Sequence, residues 1–548
     1  MRDADRFTRA ARFGTFEADL QARELRRKGI KLKLQEKPFQ ILELLLERAG
    51  EVVAREDLHK RLWPRTHVGF DRSLNTAMNA LRYVLRDSAD NPRFVETCQR
   101  RGYRFIAPVE WIGDEYSSGG AETIGSLAVL PLRNDTGDPE MEYLCDGITE
   151  SIINAISRLP DVRVMARATV FRYKGREIDP QKVGHELNVR AIVIGRVLQR
   201  GEDLGISMEA VDVSSGWQLW GEQFHRKAAD LFALQDEISR DISARLRPRL
   251  SLEKSRYVTR QSSQSSEAYR DYLKGRYYLN RMNEDSLRRG ILHFRQALQK
   301  DPAYAPAHAG LAACYGLFGF FSLQSPRAVM PLAKQAALRA LEIDDGLAEA
   351  HASLAGVLKT FDWNWSAAEK EYKRALELNP NYATGHHLYA DFLSALGRPQ
   401  EAIREIQTAL DLDPLSLVIS NEVGWNLYMA RQYDGALEHA LKTLDMEPDF
   451  PAARHTLGLV YEQVRRFEEA IAAHMQARGI SGENPASLAA LGHACALAGN
   501  RDQARSILDE MQALARRTYV SGYQSAILHA GLGELDVAIA ELRRAVEE

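Results

Sequence analysis

The chain has 548 residues, 72 Lys and Arg against 75 Asp and Glu, and a mean hydropathy of −0.35. Its four cysteines, Cys98, Cys145, Cys314 and Cys495, are scattered with no CxxC spacing, so they suggest neither a disulfide framework nor a cysteine-held zinc site and point to a reducing compartment. No run of about 18 apolar residues occurs, and the opening MRDADRFTRAARF lacks the apolar stretch of a secretory signal, so neither a membrane span nor export is expected. Length alone asks for three or more domains, and charge divides them: residues 1–110 hold 23 Lys and Arg against 16 Asp and Glu, whereas the remainder holds 49 against 59. Only the first part is built for polyanions.

In chain order, Arg12 to Glu17, Arg23 to Arg27 and Ile30 to Leu34 read as three short strands, with alternation clearest in IKLKL. Phe39, Leu42, Leu45 and Leu46 predict a helix from about Glu36 to Arg48, stopped by Gly50, and Val53 to Trp63 a second one closed by Pro64. The third helix, Arg72 to Asp87, places Leu74, Met78, Leu81 and Leu85 on one apolar stripe. At about 100° per residue the opposite stripe carries Arg72, Thr76, Asn79, Tyr83 and Arg86, flanked by Asn75 and Arg82. None is an acid; Asn and Arg can bond base edges in pairs, and Thr can meet a thymine methyl. Alone, such a face reads better as a solvated one. Its neighbours reverse that judgement, because Phe94 to Cys98 and Tyr103 to Ile106 form a hairpin tipped by Gln99, Arg100, Arg101 and Gly102. Arginines there can reach phosphates or a narrow minor groove.

Residues 11–108, about a fifth of the chain, thus resemble the OmpR/PhoB-type winged-helix DNA-binding domain, with SLNTAMNALRYVLRD and NPRFVETCQRRGYRF close to its recognition helix and wing. The resemblance implies base contacts from Thr76, Asn79 and their neighbours, and backbone or minor-groove contacts from Arg82, Arg101 and Arg104. It also implies a loop from Trp63 to Phe70, with Pro64, Arg65, Thr66 and His67, that touches RNA polymerase. Ala77 and Ala80 stand where relatives often carry polar or basic side chains, so sequence preference is not transferable. With no receiver domain ahead of the winged helix, phosphorelay control is not expected.

The polar stretch 109–124 reads as a linker. Residues 125–250 then read as an α/β domain. SLAVLPL and VRVMAR are strands, DGITESIINAISRL and PQKVGHELN are helices, and AIVIGRVLQRG, LGISMEAVDV and GWQLWGEQF are antiparallel strands with turns at Gly201 to Asp203 and Ser214 to Gly216. This part resembles the TolB-like domain of bacterial regulators, which implies a sensing or assembly module. GHELN lacks the second histidine of a zincin, and Asn134, Asp135, Asp138 and Asp146 near the first strand have no phosphate loop or nucleophile beside them. They read as turn and capping residues, and no enzymatic activity and no cofactor are expected. LFALQDEISRDISARL is amphipathic, and 251–266 is a polar hinge.

From about Glu267 a period of 34 residues appears: Ala390, Gly424, Gly458, Gly492 and Ala526, and again Ala402, Ala436, Ala470, Ala504 and Ala538, with Pro414 and Pro448 in step. A helix-turn-helix period with small residues at the crossing points is the tetratricopeptide (TPR) signature. Looser copies upstream bring residues 267–548 to about eight repeats, with insertions at Phe318 to Pro331 and around Asp362 to Trp365. First-helix positions expected to line a peptide-binding groove are His387, Asp391, Asn421, Trp425, Tyr428, His455 and Glu462. The histidines have no metal-binding spacing.

The expectation is a multidomain α and α/β chain: a winged helix-turn-helix, a small α/β domain and an all-α TPR solenoid. Its partners would be double-stranded DNA, RNA polymerase, a protein or peptide in the groove, and a second copy of itself, with no membrane. The function implied is a sequence-specific transcription regulator in the cytoplasm, associated with the nucleoid. Two alternatives remain open: a TPR scaffold whose winged helix serves protein contact, and a signalling enzyme in the middle domain.

Overall fold

The computed structural model describes residues 10–112 except 14–15, 20–23, 28–29, 33, 51, 63–69, 86, 89–91, 99–100 and 108, and residues 124–548 except 160–161, 201–202, 228–236, 239–264, 322 and 483. Two compact units divide between Glu122 and Thr123.

The first unit opens with β1 (Ala10–Phe13), β2 (Phe16–Asp19), β3 (Glu24–Arg27) and β4 (Ile30–Leu32). The first expected strand is therefore two, paired antiparallel with Phe13 opposite Phe16. β8 (Glu110–Ile112), inside the stretch expected to be linker, pairs with β1 and completes a sheet of order β4-β3-β2-β1-β8. It satisfies backbone groups that β1 would otherwise present as an open edge. α1 (Glu36–Glu47) buries Phe39, Ile41, Leu42, Leu45 and Leu46. The second helix begins later than its apolar pattern predicts: Val52–Ala54 form β5, and α2 runs Arg55–Leu62. Here β-branched Val52 and Val53 are drawn into pairing with the wing, Val53 opposite Tyr103. α3 (Phe70–Leu85) buries Leu74, Met78, Leu81 and Leu85 as the stripe requires. β6 (Val95–Cys98) and β7 (Gly102–Phe105) form the hairpin, in a sheet of order β5-β7-β6. Phe13, Phe16, Phe94 and Phe105 pack ring to ring, with Phe13 5.1 Å from Phe105 and Phe16 5.5 Å from Phe94, and tie the two sheets together.

The second unit begins with β9 (Ser126–Val129), β10 (Arg133–Asn134), α4 (Glu142–Ser157), β11 (Arg163–Val164), α5 (Arg167–Phe171) and α6 (Pro180–Glu186). Three long strands follow: β12 (Ala191–Arg200), β13 (Asp203–Asp212) and β14 (Gln218–Lys227). The sheet runs β11-β9-β12-β13-β14, parallel across the first three and antiparallel across the last, with β10 also beside β12. Of the amphipathic LFALQDEISRDISARL segment, only Glu237 and Ile238 lie among the described residues, as does only the end of the hinge, where Ser265 caps the next helix.

Sixteen further helices among the described residues, from Ser266–Leu279 to Leu535–Glu547, pair into eight repeats. Within repeats three to eight the residue that turns the chain between the two helices has positive φ: Trp363, Gly397, Arg431, Arg465, Gly499 and Gly533, at 34-residue steps. The insertion expected at Phe318 to Pro331 is mostly helix, because Ala305–Phe320 and Pro326–Ile343 are lengthened, with Pro326 starting the second and Pro331 inside it.

The α/β module and the repeats pack as one unit. Asn381, in the turn before helix Ala383–Ala395, donates through Nδ2 to the Ser157 and Val162 carbonyls (3.0 and 2.9 Å) and accepts from the Val164 N–H (3.2 Å). Ala166 N–H donates to the Leu412 carbonyl, and Leu415 N–H to Thr169 Oγ1 (2.9 Å each). Buried Glu150 accepts from Arg276 and Asn280 of the first repeat and pairs with Arg167. Burial opposes its charge, yet the two arginines hold this carboxyl below its ordinary range. No helix among the described residues is long and apolar enough to cross a membrane.

Candidate nucleic-acid interface and repeat groove

On α3 the structure separates exposed side chains from buried ones. Ser73, Asn75, Thr76, Asn79 and Tyr83 are exposed, Tyr83 at 85%. Arg82 is a correction: expected at the DNA backbone, it is 8% exposed and donates to the Val95 carbonyl (2.9 Å) and Thr97 Oγ1 (2.8 Å). A guanidinium on the flank of the helix is long enough to fold back onto the wing, where strand ends offer acceptors. Asn75 is exposed, yet its Oδ1 accepts from Arg55 (2.9 Å) and from the Tyr103 hydroxyl (3.2 Å), orienting the helix against the wing. The helix ends at Leu85, and Asp87, expected in it, instead accepts from the N–H groups of Arg93 (2.7 Å) and Val95 (2.8 Å), anchoring the first wing strand.

At the wing, Arg101 is exposed, while Arg104 is half-buried and held by Glu96 at 2.6 Å. Gly102 has φ 152°, and a Cβ there would stand 2.0 Å from the Val53 carbonyl oxygen, so this close approach of β7 to β5 requires glycine. Arg86, Arg100 and the loop residues Pro64, Arg65, Thr66 and His67 lie outside the described residues; Arg72 lies in α3 without a described side chain.

In the α/β module, Asn134 Oδ1 accepts from Thr136 N–H (3.1 Å) and its Nδ2 donates to the Asp138 carbonyl (2.9 Å), while Asp135 chelates Arg133 (2.6 and 2.7 Å). Asp146 and Glu142 both pair with Lys174.

The seven groove positions divide. Trp425 and Tyr428 are half-buried and stack at 5.5 Å. Asn421 is a correction: it is 6% exposed and accepts from Thr456 of the next repeat (3.0 Å), so it joins repeats. Glu462 is likewise internal, accepting from His493 (2.9 Å) and lying 3.3 Å from His474. Burial, with His474 beside it, pushes the His455 imidazole down to about 4. A buried acid between a histidine of its own repeat and one of the following repeat is held inside the solenoid and does not face solvent. His387 and Asp391 come together with Glu422 of the following repeat, a residue that the sequence does not single out, since nothing in it shows which residues of successive repeats face each other. Burial and the neighbouring Asp391 push the Glu422 carboxyl well above its ordinary range. A cavity of about 270 Å³ in the third and fourth repeats is lined by Lys359, Trp363, Trp365 and Phe392 among others, and by none of His387, Asp391 and Glu422.

Residues 29–105 match the family of transcriptional regulatory protein C-terminal domains, and residues 371–404 match a tetratricopeptide repeat family. The chain is 36% identical over 187 residues to a putative adenylate cyclase 3 of Rhizobium meliloti, covering 34% of this chain and 32% of that relative. It is 25% identical over 414 residues to the transcriptional regulator HilA of Salmonella typhimurium, covering 74% of this chain and 71% of that one. The Klebsiella pneumoniae RstA DNA-binding domain, solved in complex with the RstA box, is 32% identical over 18% of this chain and 96% of its own, with a TM-score of 0.17. The chain thus spans about a third of the first of these relatives and most of the second. The expectation of no enzymatic activity is corrected by one finding: 34% of the chain is 36% identical to a protein named as a putative adenylate cyclase. Together the similarities support a DNA-binding regulator with a protein-interaction repeat region, built from an amino-terminal transcriptional-regulator domain and carboxy-terminal TPR repeats.

Proposed function

We propose that the chain is a sequence-specific transcription regulator of the OmpR/PhoB type that docks α3 in a DNA major groove. Thr76, Asn79 and Tyr83 would meet base edges or sugars, and Arg101 a phosphate or the adjoining minor groove. The carrying observation is the exposed, acid-free face of α3, held at a fixed angle to the wing by Arg82, Asn75 and Tyr103. The TolB-like module and the repeats form the signal-receiving unit, with a protein, a peptide or a second copy of the chain as ligand. RNA polymerase would be met by the 63–70 loop, and the protein would work in the cytoplasm on the nucleoid. Sequencing genomic fragments retained by the full chain tests this: enriched fragments should share a motif with regularly spaced half-sites, and unselective retention would defeat the proposal.

A second reading, nucleotide cyclisation, is favoured by the similarity to the putative cyclase. Incubation of the full chain with ATP and a divalent cation decides it by whether cyclic AMP accumulates.

A further inference from the structure

Helices Ala383–Ala395 and Leu417–Met429 are the first helices of the fourth and fifth repeats. From them His387, Asp391 and Glu422 each bring one donor atom within 4.8 Å of the other two. His387 Nε2 stands 3.8 Å from Asp391 Oδ2 and 4.0 Å from Glu422 Oε2. Those separations exceed hydrogen-bond length. They lie nearer to the edge of a coordination tetrahedron, which is about 3.3 Å for bonds of about 2.0–2.1 Å, so a small inward movement of the side chains would close the polyhedron.

A second observation points the same way. Asp391 Oδ1 is buried and, with Glu422 ionised, has no hydrogen-bond partner among the described residues; a proton on Glu422 would be shared with Asp391. Buried polar atoms are ordinarily satisfied, and an orphaned carboxylate oxygen beside an imidazole and another carboxylate wants a cation or a cation-bound water. The three side chains are only 14%, 22% and 19% exposed, so they are largely shielded yet reachable from one side.

We propose that His387, Asp391 and Glu422 form a site for a divalent transition-metal ion of the zinc class, clipping two consecutive repeats together. One imidazole and two carboxylates suit that class better than calcium or magnesium, which take oxygen donors in larger number. Three protein donors leave a fourth position for water. Lys359, whose charge acts on Asp391 and Glu422, competes with any cation for the two carboxylates. The site is independent of the winged helix and survives if the DNA-binding proposal fails.

The test is calorimetric titration of the chelator-stripped full chain with zinc ion, and with cobalt ion followed by visible absorption. His387→Ala and Glu422→Gln should each weaken one zinc equivalent by more than about 100-fold, beyond the 10–100-fold cost of losing a supporting residue. The cobalt spectrum should show tetrahedral bands without thiolate charge transfer, which separates this site from the four cysteines. Glu422→Gln preserves side-chain shape, so an unchanged circular dichroism spectrum with lost zinc binding supports the site. A wild-type chain that binds no zinc, or variants that bind it as the parent does, would overturn it.

Discussion

Arg82→Ala separates structural support from the proposed DNA contacts of α3. The guanidinium is buried, donates to the Val95 carbonyl and to Thr97 Oγ1, and lies 6.0 Å from the Tyr103 ring centre. Its removal leaves the buried Val95 carbonyl without this donor, whereas the hydroxyl of exposed Thr97 can turn to water. Charge-assisted hydrogen bonds contribute about 1.5–3 kcal/mol each, and because both here come from one nitrogen, a loss of about 3 kcal/mol is the reasonable total. In a domain of this size about 1 kcal/mol moves the midpoint by 4–8 °C, so the first unit should melt roughly 12–24 °C lower. Calorimetry of the full chain reads that shift, and fluorescence anisotropy against promoter fragments over a salt series reads the other half. Arg82→Ala should leave the salt slope of the folded protein alone, whereas exposed Arg101→Ala should leave melting alone and flatten the slope by about 0.9. An Arg82→Ala chain that melts like its parent and binds with a flatter slope would show that the side chain leaves the wing to grip phosphate, and the support role would be wrong.

Gly102→Ala should unpair β7 from β5 and lower stability and DNA affinity together, because its Cβ would stand 2.0 Å from the Val53 carbonyl oxygen; equal melting curves would contradict this. The repeats should weaken in acid. His455 is held near 4 in the fold against an ordinary 6.5, so its contribution is complete above 6.5 and is lost as pH falls toward 4, about 2 kcal/mol by pH 5. Glu462 adds in the same direction at lower pH, since hydrogen bonds from His474 and His493 outweigh burial and hold it below its ordinary range. Urea titrations at pH 7 and pH 5 measure the sum, and His455→Phe should reduce the difference. Arg465→Gly should stabilise the repeats by roughly 0.5–1 kcal/mol, since φ of 60° strains a side-chain-bearing residue; an unchanged urea midpoint would count against it.

What the sequence shows and what it hides follow from distance along the chain. The stripe of Leu74, Met78, Leu81 and Leu85 is visible because its members share one helix, and the repeats because small residues recur at one period. The support role of Arg82 is hidden in the sequence because its partners lie 13 and 15 residues on, one of them a backbone carbonyl that no side chain marks. Gly397, Gly499 and Gly533 announce the left-handed turn of their repeats, but Trp363, Arg431 and Arg465 adopt it unannounced. Asn421 and Glu462 sit at first-helix spacing like Trp425, yet their polar ends are consumed by the neighbouring repeat. Helical phase identifies which side of a helix faces inward; it does not say whether what lies inward is a groove or another helix.

Asn381 shows how the two halves of the second unit are joined. Asparagine is ordinary in a turn, and its meaning comes from the ends of α4 and β11, 217 to 224 residues earlier, which it bridges with both ends of its amide. That turn leads directly into the helix that carries His387 and Asp391. The α/β module and the groove cluster are therefore mounted on one short segment, and a shift of the helix on ligand binding must strain the Asn381 bonds or be resisted by them. Linkage makes this reciprocal: if the docked module favours the helix position that closes the cluster, Asn381→Ala should weaken zinc binding as well as lower stability by about 2–4 kcal/mol. A variant destabilised by that amount that binds zinc with parental affinity would mean that the helix holds its place without the module, and that the repeats receive their ligand independently of it.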